Sequence, residues 1–136
     1  MKAILKAALV ALAAALFVTM RSGSAWSVEY YCPVTSKFDS EREYNQEHLR
    51  QYDYSVRIAD LGETATVSRC SYTPSEARIT CDRYEIDKIV SDEWVNIKKY
   101  YHFQSQFDVQ LYANLRFVEN NGRGGIAYGT CQIVSP

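Results

Sequence analysis

Residues 64–90 read TATVSRCSYTPSEARITCDRYEIDKIV, and this stretch decides the fold of the chain. Its central TPSE, at 73–76, has the proline and serine content of a turn. On either side, apolar residues recur at every second position, which is the period of a half-buried strand. We therefore predict a strand over 64–72, a tight turn, and a long antiparallel strand over 78–90.

One register of this hairpin explains three pairings at once. With the turn centred between residues 75 and 76, Cys70 lies opposite Cys81 at about 4.5–5.5 Å, which is compatible with a disulfide. The same register brings together two pairs of opposite charge, Arg69 with Asp82 and Glu63 with Lys88. We predict a Cys70–Cys81 bridge, which leaves Cys32 and Cys131 to join the two ends of the domain.

Three further stretches have the same period of two: 52–59, 95–103 and 109–118. Asn121-Gly122 follows the last of them, and Asn-Gly is the strongest short signal for a two-residue hairpin turn. Such a turn places Phe117 opposite Ile126, so that the apolar face continues into the next strand.

Residues 33–50 break the pattern, because they are polar with few apolar positions. They predict either a short surface helix, capped at Asp39 or Ser40, or an ordered loop. The six to seven antiparallel strands around them predict an all-β fold, a small barrel or sandwich with two disulfides. A barrel is favoured, because a bridge between the first and last strands would help to seal an open edge.

Residues 1–25 are typical of a secretory signal peptide. Lys2 and Lys6 precede an apolar run over 7–20, and small residues at 23–25 fit cleavage after Ala25. About 14 apolar residues are too few to span a bilayer comfortably, so no stable membrane anchor is expected. The mature chain, 26–136, is then a single domain, periplasmic or secreted.

Composition narrows the possible functions of this domain. The full chain has 15 basic and 16 acidic residues, and residues 1–25 take away three basic and no acidic ones, which leaves a formal charge of −4. An acidic balance argues against a nucleic acid partner. The cysteines contain no close pair of the C-x-x-C kind, and we expect no metal and no cofactor. No nucleophile motif such as G-x-S-x-G occurs, so we predict that the protein is not an enzyme.

Five side chains are candidates for contact with a partner. Trp94 and Tyr100 would supply aromatic surface. Lys98, Tyr100 and His102 fall on one side of a predicted strand and would form a basic and aromatic face. Arg123 lies in a glycine-rich stretch and would sit at the tip of an exposed loop.

The two ends of the mature chain carry a family resemblance. VEYYC at 28–32 is an aromatic-rich opening strand that ends in cysteine, and GTC at 129–131 places a cysteine in the last strand. This layout resembles the exported inhibitors of c-type lysozyme from Gram-negative bacteria, which are small antiparallel β-barrels. Cys70 and Cys81 are additional to that plan. The internal loop motifs associated with lysozyme binding are not recognisable, so no inhibitory residues are carried over.

Three functional hypotheses follow. The first is an exported, non-enzymatic binding module that contacts protein or glycan in the cell envelope or in a host. The second is an inhibitor of a secreted hydrolase such as c-type lysozyme. The third is a small carbohydrate-active enzyme, which would need a cleft with two carboxylates about 5–10 Å apart, and no such pair stands out.

Overall fold

The computed structural model of the protein describes residues 26–135. The predicted signal peptide over 1–25 lies outside these residues. Within them the elements are β1 (Val28–Phe38), α1 (Gln46–Tyr52), β2 (Ser55–Asp60), β3 (Ala65–Thr73), β4 (Arg78–Glu85), β5 (Lys88–Asp92), β6 (Ile97–His102), β7 (Phe107–Tyr112), β8 (Arg116–Asn120), β9 (Ile126–Thr130) and β10 (Gln132–Ser135).

The strands form one curled antiparallel sheet, a half-barrel, in the order β4-β3-β2-β1-β9-β8-β7-β6-β5. β10 lies off this path, because it pairs with the first part of β1 while β9 pairs with the second part. The all-β class is confirmed. The predicted number of six to seven strands is wrong, because two stretches that were predicted as single strands are each divided and β10 is a further short strand after β9.

The hairpin of β3 and β4 has the predicted register at its closed end. Cys70 pairs with Cys81, and Arg69 pairs with Asp82. The two cysteines form a disulfide with their Cα atoms 4.1 Å apart, as predicted. A local turn and a sequence separation of 11 residues were enough to define this pairing.

The prediction of one long strand over 78–90 is wrong. β4 pairs with β3, whereas the Asp87 N–H already donates to the carbonyl of Tyr101 in β6 at 2.9 Å. The chain therefore changes partner between β4 and β5, which lie at opposite ends of the strand order. The predicted pairing of Glu63 with Lys88 fails for this reason, because Lys88 lies opposite Tyr101.

The prediction of one strand over 109–118 is also wrong. The chain reverses after Tyr112, where the Leu115 N–H donates to the Tyr112 carbonyl at 2.9 Å and Leu115 takes a φ of 67°. Leu111 pairs with Phe117 across this turn, and both side chains are buried. The odd-numbered residues face inward both before and after the turn. The apolar and polar residues therefore alternate without a break, and the pattern does not show where the chain reverses.

The Asn-Gly turn occurs where it was predicted, but the connection is longer. The loop 121–125 is closed by a hydrogen bond of 2.9 Å from the Asn121 N–H to the Gly125 carbonyl. The Asn121 side chain accepts two further bonds, from the N–H groups of Arg123 and Gly125. Phe117 consequently lies opposite Gly129 rather than Ile126. The predicted register is therefore wrong, because the asparagine side chain stabilises five loop residues instead of two.

Residues 33–50 contain the end of β1 and the start of the helix. Asn45 is the N-cap, and its side chain accepts the His48 N–H at 2.8 Å. The predicted caps, Asp39 and Ser40, are wrong, because Asp39 instead accepts N–H groups in the turn before the helix. The helix also takes up Tyr52, so the strand that was predicted from residue 52 begins at Ser55.

The inner face of the half-barrel holds the core. Its largest fully buried side chains come from five strands: Val56, Ile58, Val67, Tyr100, Phe107, Val109 and Phe117. The second disulfide, Cys32–Cys131, is buried beside them and joins β1 to the segment between β9 and β10. This pairing was predicted. Two disulfides are typical of an oxidising, exported environment.

Among residues 26–135, no helix combines the length and the apolar character that crossing a bilayer requires.

Candidate functional site

The predicted basic and aromatic face of β6 points into the half-barrel. Lys98, Tyr100 and His102 do share one side of the strand, but Tyr100 is 0% exposed. Its hydroxyl donates a hydrogen bond of 2.6 Å to the Asp60 carboxylate, and Lys98 forms an ion pair with the same carboxylate. Tyr100 is therefore a core residue, which corrects its assignment to an exposed partner surface.

Asp60 is the centre of this buried cluster. Burial raises the pKa of its carboxyl, but the bonds from Lys98, Tyr100 and the Gly62 N–H outweigh burial and lower the pKa overall. Burial, and then the bond to Asp60, raises the pKa of Tyr100. The cluster joins β2 to β6 across the interior, and we assign it a structural role.

A second ion pair crosses the interior farther along the half-barrel. Arg69 of β3 contacts Glu119 of β8 as an ion pair without hydrogen-bond geometry. The Lys37 ammonium lies 4.2 Å from the ring centre of Tyr54. Burial lowers the pKa of Lys37, and the charge of Glu119 opposes part of that shift. The cavity among these groups is only about 170 Å³, which is smaller than ordinary ligand sites.

The β5–β6 turn, over 93–96, presents Trp94 to solvent. The indole side chain is 98% exposed. The turn is ordered by Asp92, whose Oδ1 accepts the N–H groups of Trp94 and Val95 at 3.0 and 3.3 Å. Asn96 completes it with a φ of 51°. Trp94 is therefore held on a defined protrusion.

Three connections lie at the end of the half-barrel that carries Trp94, which we call the Trp94 end: 61–64, 93–96 and 113–115. The ion pair of Lys98 with Asp60 brings the first connection beside the second. Tyr30 of β1 lines a cavity of about 250 Å³ together with residues of the other two. The start of β1 therefore lies at the same end.

Exposed apolar side chains concentrate at the Trp94 end. Eight large apolar side chains are exposed within residues 26–135. Six of them lie at this end or on β10 beside it: Trp26, Leu61, Trp94, Val95, Ile133 and Val134. A grouped apolar surface on a small domain typically marks a site of interaction.

Acidic side chains surround this apolar group. Four of them lie at the Trp94 end: Glu29, Glu63, Asp92 and Glu93. Arg116, at the start of β8, is a basic side chain at the same end, and the charge of Lys98 is balanced by Asp60. Glu29 also lines a pocket with Arg57 and Arg83 beside Val134 of β10. The unbalanced negative charge of the surface therefore lies in the β5–β6 turn that carries Trp94, at Asp92 and Glu93.

The opposite end, which we call the His102 end, brings together two other predicted residues. His102 and Arg123 border one open cavity of about 650 Å³, and its remaining lining is Tyr84, Gln104, Ser105, Gln106 and Gly122. Because β6 begins beside Trp94 and ends at His102, the predicted residues divide between two ends. Trp94 and Lys98 lie at one of them, and His102 and Arg123 lie at the other.

Sequence reasoning missed Asp60 and Tyr84. Asp60 follows Ile58 at the next inward-facing position of β2. A polar residue among apolar inward-facing positions was the one sequence signal that could have indicated a buried polar cluster. Tyr84 is in the inner phase of β4 and packs against the core. It lies at the border between the core and the open cavity.

The fold and these surfaces define a class of protein: a disulfide-linked β half-barrel with two separate candidate binding sites. Comparison with known protein families, with curated proteins and with solved structures gives no significant match.

Proposed function

We propose that the protein is a periplasmic or secreted, non-enzymatic binding module, and that its Trp94 end docks a basic protein. One observation carries the proposal: six of the eight exposed large apolar side chains, among them the 98% exposed Trp94 on its ordered turn, lie at the Trp94 end or on β10 beside it. Tryptophan is enriched among the residues that dominate binding energy in protein interfaces.

The charge at this end indicates the kind of partner. The acidic side chains of the turn that carries Trp94, Asp92 and Glu93, favour a partner with Lys or Arg at the rim of an apolar pocket, because complementary charge speeds association and excludes wrong partners. The same charge disfavours an anionic membrane surface, which attracts basic rather than acidic segments. A basic protein therefore fits the Trp94 end better than a lipid surface does.

An inhibitor of a secreted hydrolase is the narrower form of this proposal. Trp94 projects from the body of the domain, and a protruding side chain can enter the cleft of an enzyme. The resemblance of the two chain ends to c-type lysozyme inhibitors makes that enzyme the first to test. The third hypothesis, a carbohydrate-active enzyme, has no comparable observation in its support.

The test measures binding of oxidised residues 26–136 to a panel of basic proteins, among them secreted hydrolases such as c-type lysozyme. The variants are Trp94→Ala and, as a matched control, Phe103→Ala, because Phe103 is also an exposed aromatic residue in a turn but lies at the His102 end. We expect a one-to-one complex that Trp94→Ala weakens at least about tenfold and Phe103→Ala leaves unchanged. The affinity should also fall as salt rises.

Inhibition of the captured enzyme at one-to-one stoichiometry would support the narrower proposal, and capture without inhibition would support the general one. A complex that is equally sensitive to both variants, or insensitive to Trp94→Ala, would contradict docking at the Trp94 end. Absence of a complex with every member of a basic protein panel would contradict the proposal as a whole.

A further inference from the structure

The open cavity at the His102 end is separate from the proposed protein-docking surface. It lies between the β6–β7 turn, over 103–106, and the loop 121–125, with Tyr84 of β4 at its border. Its volume of about 650 Å³ is within the range of ordinary small-ligand sites, about 300–1,000 Å³. Its properties do not depend on what docks at the Trp94 end.

The two walls of the cavity hold each other in place. A Cβ atom added to Gly122 would lie 2.3 Å from the carbonyl oxygen of Gln106, and Gly122 has a φ of 72°. The loop therefore packs its backbone directly on the neighbouring turn. Asn120 accepts the Gly122 N–H at 2.9 Å, and Asn121 accepts the Arg123 N–H at 2.7 Å. A cavity held by such contacts is largely formed before a ligand arrives, which reduces the entropy lost on binding.

Aromatic rings border the cavity on its core side. The ring of Tyr84 makes edge contacts with His102 and Phe107, with centroid distances of 5.0 and 4.8 Å. Phe107 is buried, whereas Tyr84 and His102 are half-buried. The cavity therefore has a rigid aromatic surface, on which the C–H face of a sugar ring can pack.

The polar groups of the cavity include hydrogen-bond donors and groups that both donate and accept. The Ser105 N–H donates to His102 Nδ1 at 3.3 Å, so the neutral ring carries its proton on Nε2, which is then a donor. Arg123 contributes a guanidinium, and Gln104 and Gln106 contribute carboxamides, which both donate and accept. This mixture suits a ligand with several hydroxyl groups.

The charge of the lining is positive. None of the seven residues that line the cavity is Asp or Glu, and Arg123 takes part in none of the salt bridges found within residues 26–135. A guanidinium free of a carboxylate partner pairs well with a ligand carboxylate, through two parallel N–H···O bonds. In a protein with an acidic overall charge, such a local site selects for an anionic ligand.

We propose that this cavity binds an acidic saccharide, with the sugar carboxylate on Arg123 and His102, its hydroxyl groups on the two glutamine side chains, and its ring against Tyr84. A single guanidinium suits one carboxylate better than a phosphate, whose larger charge is usually met by several basic groups. An apolar ligand would leave the glutamine and imidazole groups of the lining without partners, so it fits this cavity less well than a ligand with hydroxyl groups. The protein would then have a glycan site at one end and a protein-docking surface at the other.

The experiment titrates isotope-labelled, oxidised residues 26–136 with a galacturonic acid trisaccharide and with its neutral methyl ester, and follows backbone amide resonances. We expect saturable shifts in 102–106 and 121–125 with the acid form and weaker binding of the ester. Arg123→Gln should weaken binding of the acid form at least about tenfold and remove the preference over the ester. Arg116→Gln, a matched change at the Trp94 end, should leave the affinity unchanged.

Three results would overturn the proposal: no saturable shifts with either saccharide, equal affinity for both, or equal loss of affinity in the two arginine variants. The last result would mean that the acid form binds only through overall charge. The thermal midpoints of both variants should match that of the unaltered chain, which separates lost binding from lost folding. Trp94→Ala should not change saccharide binding, so this proposal and the proposed protein docking can fail independently.

Discussion

The hydroxyl of Tyr100 on β6 donates a hydrogen bond of 2.6 Å to the carboxylate of Asp60 on β2, inside the half-barrel and 40 residues away in sequence. Lys98 and the Gly62 N–H bond to the same carboxylate. This carboxylate therefore connects the two halves of the curled sheet and also holds the loop 61–64 at the Trp94 end. The shape of the proposed docking surface depends on it.

Asp60→Asn should destabilise the protein at neutral pH by about 1–3 kcal/mol, because a buried ionic bond is replaced by a weaker neutral one. The pKa of Asp60 is lowered in the folded state. Its contribution is therefore fully present above the unfolded pKa of about 3.9 and is lost as the pH falls towards the folded value.

Urea unfolding at pH 7, 5 and 3 would measure this effect, with Asp82→Asn as the control at an exposed acid. The difference between the unaltered chain and Asp60→Asn should shrink below pH 4. A difference that does not change with pH would show that the ionised form of Asp60 has no special role.

The two disulfides should differ in their contribution to stability. Cys32–Cys131 spans 99 residues and Cys70–Cys81 spans 11. In the chain-entropy treatment these separations correspond to about 5 and about 3 kcal/mol. Paired Cys→Ala variants compared by denaturant unfolding should show the larger loss for the long loop. The reverse order would indicate that the β3–β4 hairpin, rather than the joined chain ends, limits the stability of the fold.

Gly122→Ala should destabilise the His102 end more than Gly124→Ala does. Both glycines have positive φ, 72° and 86°, but only Gly122 would bring a Cβ atom against the backbone of Gln106. The strained φ alone costs about 1 kcal/mol, and the close approach adds to it at Gly122. Differential scanning calorimetry of the two variants measures the contrast. Equal losses would mean that the loop and the turn separate easily, which would weaken the case for a preformed cavity.

Trp94→Ala should leave the free energy of unfolding unchanged within about 0.5 kcal/mol, because the side chain is 98% exposed and contributes little to the core. Tyr100→Phe should lower it by about 1 kcal/mol or more, since it removes a buried hydrogen bond. Chemical unfolding of the two variants under the same conditions makes the comparison. A large loss for Trp94→Ala would assign that residue to folding rather than to binding.

Local features of the sequence predicted a large part of the fold. The cysteines, the turn at 73–76 and the charges of Arg69 and Asp82 define one hairpin register, because opposed residues in a tight hairpin are also close in sequence. The second bridge, Cys32–Cys131, followed from the first. Alternation along the chain predicted the all-β class, because the period of two reports which residues face the core.

Only the tertiary structure decided where the strands break, which face is buried and which side chains meet. Apolar and polar residues alternate without a break through the turn near Leu115, because the same alternate positions face inward on both sides of that turn. The point near Asp87 where the chain changes its partner strand was likewise not predicted from the sequence. The local sequence predicted that Tyr100 contacts a partner, but the curled sheet buries its side chain. His102 and Arg123 come together because β6 and β8 end on the same side of the half-barrel, a relationship that depends on strand order and has no trace in local sequence.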